Sequence, residues 1–358
     1  MEPETQKLEM FFFPFLGGGH MIPMIDTARV FASHGVKSTI ITVFGHAHVL
    51  LKAINRDQQL GQDIHVHVLS SPPGQPPLAA DSADMSASPF TDTSMFSQPF
   101  ELLLKDRRPD CIVVDNFHRW ASDVVTELSI PRIIFNGSSC FPLCVRDCLQ
   151  RFSPHEKVDS DDEPFVIPGL PDRIELTGSQ LAPFEKSKDN EFAQRRKKLE
   201  IGSFGFLINS FYEIESAYVE HFKNQMGKKA WLIGPASLVN KGIEDKSIRG
   251  QKSSIEENYC LNWLNSKKPY SVLYVSFGSL ARLPSSQLPE IAYGLEAANW
   301  DFIWVIGKTL KSNSESENEG NSLADGFEDR MMKSGKGLII RGWAPQLLIL
   351  ENPAIGGF

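Results

Sequence analysis

Two polar side chains in this sequence close apolar runs. His20 follows "FLGGG", the end of a run that begins at "EMFFF", and Asp115 closes "CIVVD". Ligands of open parallel sheets gather beyond the carboxyl ends of the strands, so a histidine and an acid placed there are first candidates for chemistry. The three glycines before His20 permit positive φ and let a ligand approach the backbone. If the two strands are neighbours, the Asp115 carboxylate can accept from one imidazole nitrogen and fix its tautomer. The other nitrogen is then left to take a proton. Such a pair, with no nucleophile beside it, suits deprotonation of a substrate hydroxyl. Alone, His20 reads more often as a hydrogen-bonded structural residue and Asp115 as a helix N-cap; the pairing turns the weighing. The sequence carries no G-x-S-x-G elbow, no G-x-G-x-x-G fingerprint and no Walker loop, which disfavours a serine hydrolase, a dinucleotide-dependent oxidoreductase and a P-loop enzyme.

Positioning these residues requires a sheet covered on both faces. "EMFFFPFL" (residues 9–16) is continuously apolar, as expected of a doubly buried strand, and "MIPMIDTARVFASHG" then shows helical spacing, with Pro23 placed in a first turn. Strands are expected at residues 36–43, 64–69, 111–115, 132–136, 204–211 and 231–235, with helices between them, which implies an α/β chain with a parallel sheet. Residues 70–94 are rich in proline and serine and carry no periodicity. Residues 239–258 are charged, without apolar spacing, and read as a linker between an N-terminal domain (1–238) and a C-terminal one (259–358). After it the alternation restarts, with strands at 271–279, 301–307 and 337–343, three in all, leaving an exposed edge.

Bulk properties narrow the function classes. The chain has 358 residues, 41% hydrophobic and 22% charged, a balance that supports two packed cores. Its net charge of −8 offers no surplus for a phosphate backbone, so nucleic acid is not expected as a partner. "MFFFPFL" resembles a signal-peptide core, but Glu2, Glu4 and Glu9 outweigh Lys7 around it, and no stretch approaches the length of a membrane span. A cytosolic protein is expected. The five cysteines do not suggest a disulfide framework. Cys140, Cys144 and Cys148 recur every four residues and read as a small-residue packing stripe in preference to a metal site.

In the second half, "VSFGS" ends a strand with Gly278 and Ser279, whose N–H groups and hydroxyl could meet phosphate. "GWAPQ" brings Trp343 out of a strand into Ala344 and Pro345, offering an aromatic plane and exposed backbone groups on which a base could stack and hydrogen-bond.

"FLGGGHMIP", "PDCIVVDNFHRWASDV", "IPGLPD", "NSFYEIESAY", "LYVSFGS" and "RGWAPQLLILENPAIGGF", in this order, resemble a plant family-1 UDP-glycosyltransferase, in the branch that glycosylates triterpenoid sapogenins and flavonoids. The resemblance covers essentially the whole chain. It implies the GT-B fold: two facing Rossmann-like, doubly wound domains, with the acceptor in the first, the UDP-sugar mainly in the second, and reaction in the cleft. It also implies a monomer whose partners are a small-molecule acceptor and a UDP-sugar, the latter a co-substrate, with no cofactor and no metal. His20 would be the general base and Asp115 its partner, with direct inverting displacement of UDP. Ser279, Trp343, Ala344 and Gln346 match donor-binding positions, and Gly19 borders the sugar. Phe117, Trp120, Ser138 and Phe141 fall in regions that line acceptor pockets.

In such relatives the segment after "PAIGGF" carries the groups that grip diphosphate, ribose and sugar, and this sequence stops there. The expectation is a truncated C-terminal domain with little or no turnover. The alternative is a non-catalytic, acceptor-binding or interfering chain.

Overall fold

Pro14 has no N–H to give a neighbouring strand, and the first strand stops one residue before it. It spans Glu9–Phe13, three residues shorter than the apolar run suggests. The structure, a computed structural model, describes residues 7–43, 47–72, 92–118, 120–182, 185–186, 191–247, 249–250, 252–278, 281, 283–307, 309–310, 323 and 326–358. Ser279 and most of the proline-rich segment 70–94 lie outside the described residues. The described chain up to Val239 forms one compact unit and that from Asn240 another.

In chain order the first unit runs β1 (Glu9–Phe13), α1 (Gly18–Ser33), β2 (Lys37–Val43), α2 (His48–Gln59), β3 (Ile64–Leu69), α3 (Ser97–Arg107), β4 (Cys111–Asp115), α4 (Ala121–Glu127), β5 (Arg132–Asn136) and α5 (Cys140–Phe152). A hairpin of β6 (Pro164–Val166) and β7 (Glu175–Thr177) follows, then α6 (Glu191–Glu200), β8 (Gly205–Ile208), α7 (Tyr212–Glu220) and β9 (Ala230–Leu232). Seven strands pair in parallel in the order β3-β2-β1-β4-β5-β8-β9. The order reverses at β1, which has β2 on one side and β4 on the other, so the carboxyl ends of β1 and β4 flank a topological switch point.

Alternation along β1 explains its unbroken apolarity. Phe11 and Phe13 pack with Phe100, Leu104 and Val125 from α3 and α4 on one face. Met10 and Phe12 pack with Met24, Ile25 and Ala28 of α1 and Leu50 and Ile54 of α2 on the other. Each buried phenylalanine contributes about 1.5–3 kcal/mol. The strand that carries the candidate site is thereby held from both sides.

The second unit contains α8 (Ile243–Ser247), α9 (Glu257–Asn265), β10 (Val272–Ser276), β11 (Leu283–Pro284), α10 (Gln287–Ala298), β12 (Asp301–Ile306), β13 (Thr309–Leu310), α11 (Phe327–Lys333), β14 (Gly337–Arg341), α12 (Gln346–Leu350) and β15 (Ile355–Gly357). Its main sheet has four parallel strands, β14-β12-β10-β15, one more than the three expected. The addition, Ile355–Gly357, is too short and too glycine-rich to show a strand pattern, and it is aligned by its partner Val272. The segment read as a linker is also structured. It contains α8, where Lys246 pairs with Glu351 at 2.5 Å, and Ser254, which bonds to Trp343 in both directions.

Candidate active site

Gly17, at φ 127°, turns the chain leaving β1 into α1, a conformation that an L side chain strains to adopt. The helix begins at Gly18, so His20 sits in its first turn and Pro23 in the second turn, later than the sequence suggested. Pro23 has no N–H to offer the Gly19 carbonyl four residues before it. That carbonyl faces the exit of β5, since a Cβ built on Gly137 would stand 3.5 Å from it.

The exit of β1 brings His20 to the end of β4. His20 Nδ1 lies 2.9 Å from Asp115 Oδ2, while Asp115 Oδ1 accepts from the backbone N–H of Phe117 at 3.0 Å. A carboxylate can only accept, so the shared proton sits on Nδ1 and the Nε2 lone pair is left as the base. Asp115 is buried; the His20 side chain keeps 19% exposure, enough to meet a ligand. Burial works to lower the His20 pKa, but the Coulombic attraction of Asp115 and their hydrogen bond outweigh it, and the net direction is upward from 6.5. Phe117 and Phe15 stand edge-on to the imidazole, at 4.6 and 5.8 Å between ring centres, and exclude water from two sides.

The other acceptor candidates are dispersed. Trp120 is partly buried against the core beneath β1, edge-on to Phe100 at 5.4 Å, and its indole N–H donates to Thr93 Oγ1 at 2.9 Å. Ser138 is exposed, its hydroxyl within 3.1 Å of the Asn136 amide at the end of β5. Phe141 packs edge-on to Tyr218 at 4.9 Å and lines a cavity of about 450 Å³, whose walls include Asn209, Phe211 and Glu215. The Glu215 carboxylate accepts from the backbone N–H groups of both Cys140 and Phe141 at 2.9 Å, capping α5, the role Ser139 leaves unfilled. Neither Glu215 nor Asn136 was singled out from sequence, because their partners lie in distant segments or in the backbone.

The cysteine stripe faces inward. Cys140 and Cys144 are fully buried, their thiols pushed up to about 12 chiefly by desolvation. A thiol so reluctant to ionise is suited to packing.

In the second unit Trp343 leaves β14 through Gly342, at φ 106°. Its N–H donates to Ser254 Oγ and its carbonyl accepts from the Ser254 N–H, each at 2.9 Å. Trp343's own N–H and carbonyl are therefore engaged within the unit, and the indole is what Trp343 has to offer a ligand. Gly342 is required by this clamp, since a Cβ there would fall 2.5 Å from Ser254 Oγ. The Ala344 carbonyl accepts from the N–H of Gln346 at 2.8 Å, and the Gln346 side chain is exposed. Near the ends of β10 and β12, Phe277, Gly278, Trp304 and Gly307 line a small pocket beside the position expected for phosphate. Among the described residues no helix is long and apolar enough to cross a membrane.

Comparison with known proteins places this geometry. No family model matches the chain. It is 53% identical over 362 residues to an abscisate beta-glucosyltransferase of Phaseolus angularis, with 100% of this chain and 74% of that protein covered. It is 45% identical over 366 residues to a UDP-glucose flavonoid 3-O-glucosyltransferase of Fragaria ananassa, covering 99% of this chain and 72% of that one. Among solved structures it superposes on Glycyrrhiza uralensis UGT73P12 complexed with glycyrrhetinic acid 3-O-monoglucuronide, with a TM-score of 0.83 and 38% identity, over 98% of this chain and 72% of that one.

Proposed function

This chain belongs to the plant UDP-glycosyltransferases, and on that footing we propose that it transfers glucose from UDP-glucose to a hydroxyl of a plant secondary metabolite, a triterpenoid sapogenin or a flavonoid. The observation that carries this reading is the 2.9 Å contact between His20 Nδ1 and Asp115 Oδ2, which leaves Nε2 as the proton acceptor. Nε2 takes the acceptor's hydroxyl proton as its oxygen attacks the anomeric carbon. The bond from that carbon to the UDP oxygen breaks, UDP leaves with the electron pair, and the single displacement inverts the centre. Asp115 holds the tautomer and stabilises the imidazolium that forms.

Phe117, Trp120, Ser138 and Phe141 are assigned to the acceptor. Gly19 borders the sugar, Ser279 the phosphates, Trp343 stacks on uracil, and Ala344 and Gln346 complete the donor side. The chain acts as a cytosolic monomer in this scheme.

The abscisate relative favours a second acceptor class, carboxylates. A carboxylate is already ionised at neutral pH and needs no base, so the two classes respond differently to loss of His20. The test is incubation with UDP-glucose and flavonols, sapogenins or abscisate, with glycoside and UDP quantified and the binding of acceptor and UDP measured separately. Glycoside formed on a hydroxyl by the native chain and lost in H20A supports the reading. Little or no turnover by the native chain, with acceptor bound and UDP not, would instead bear out the expectation of a low-activity form and replace this reading with a non-catalytic acceptor-binding role.

A further inference from the structure

Three residues beyond Asp115, His118 is 1% exposed, and both of its ring nitrogens are engaged. Nε2 lies 2.9 Å from the carbonyl oxygen of Pro14, which can only accept, so Nε2 carries the proton. Nδ1 then holds a lone pair, and the Thr93 hydroxyl, 3.1 Å away, donates to it. The Thr93 oxygen in turn accepts from the Trp120 indole N–H. The directions are fixed throughout: Trp120 donates to Thr93, Thr93 to His118, and His118 to Pro14. The imidazole lies parallel to the Phe13 ring, 3.9 Å between centres and 6° between planes, and edge-on to Phe15 at 5.2 Å. Its own backbone N–H donates to the Asp115 carbonyl at 3.1 Å.

These bonds join the two strand exits at the switch point. Pro14 follows β1 on the way to His20, and His118 follows β4 just after Asp115. We propose that His118 is a positioning residue: a neutral Nε2–H imidazole that ties the exit of β1 to the exit of β4 and so holds His20 at hydrogen-bonding distance from Asp115, with Thr93 and Trp120 locking its tautomer. A flat ring that stacks, donates at one end and accepts at the other is needed here, and imidazole alone among the side chains supplies it. A phenylalanine would keep the stack but leave the buried Pro14 carbonyl without its donor and the Thr93 hydroxyl proton without an acceptor. The charged groups facing the ring are Asp115, which draws a proton to it, and His20, which opposes one. Desolvation dominates and pushes the His118 pKa down to about 4, so the ring stays neutral across the range in which His20 titrates.

Histidine-labelled NMR of the whole chain tests this without turnover, so its failure is distinguishable from failure of the glycosyl-transfer reading. In the native protein His118 should show the Nε2–H tautomer, unchanged from pH 8 to pH 5, while His20 titrates above 6.5. In H118F the His20 midpoint should fall measurably from its native position, because weakening the contact with the Asp115 carboxylate removes part of what holds it up against burial. H118Q, whose amide both donates and accepts, should recover at least part of the fall, and T93V should shift it the same way by less. A native His118 protonated at pH 6.5 or carrying its proton on Nδ1 would overturn the proposal. So would a folded H118F or T93V with the native His20 midpoint. Should H118F not fold, the native tautomer and T93V decide.

Discussion

The exits of β1 and β14 both turn through a glycine at positive φ and both deliver one ring, yet they are fixed by opposite means. His20 is held through its side chain, by a carboxylate on the neighbouring strand. Trp343 is held through its backbone, by the hydroxyl and N–H of Ser254. A residue that moves a proton needs an electrostatic partner on the ring itself, because that partner sets both the tautomer and the pKa. A residue that stacks needs only its plane oriented, and a backbone clamp suffices. Mutations at the first exit should therefore act on rate and pH dependence, those at the second on donor affinity and stability.

The largest expected effect is that of H20A, which removes the base and should slow transfer to a hydroxyl acceptor about 10²–10⁴-fold with UDP affinity little changed. Equal rates in the variant, read by product formation, would break the comparison at its first term. W343A should weaken UDP binding about fivefold to 150-fold, the worth of roughly 1–3 kcal/mol of base stacking, and leave the pH profile in place; calorimetric titration with UDP reads this. G342A introduces a Cβ 2.5 Å from Ser254 Oγ at a φ of 106°. It should lower stability by about 1–3 kcal/mol in denaturant unfolding. The smallest effect is that of S254A, roughly 1 kcal/mol for a lost hydrogen bond. Combined with G342A it should cost less than the sum, because the contact that clashes has gone.

The same contrast explains what the sequence made legible. β3, β4 and β5 coincide with their apolar runs, and β1 departs only where Pro14 ends its ladder. His20 and Asp115 could be matched beforehand only on the condition that their strands are neighbours, because each closes a strong strand signal; the sheet order, with β4 beside β1, supplies that condition. Ser254 could not, since it sits in a polar segment without periodicity and acts through partners 89 residues away. His118 lay in plain view within "DNFHRW", but its partners are a carbonyl and a threonine that belong to no motif. The last residues could be read as either a glycine-rich turn or a new strand, and pairing with Val272 makes them β15.

The central claim is that Asp115 tunes His20 as a base, and the acid limb of kcat/KM for a hydroxyl acceptor, in native protein and in D115N, tests it most directly. His20 must be neutral to accept a proton, so the rate rises with pH through its pKa. With Asp115 in place that pKa lies above 6.5; with the carboxylate gone only burial remains, and burial lowers it. The account predicts a limb above 6.5 in the native chain that moves to below 6.5 in D115N, with a reduced plateau. A limb at the same pH in both proteins would contradict it.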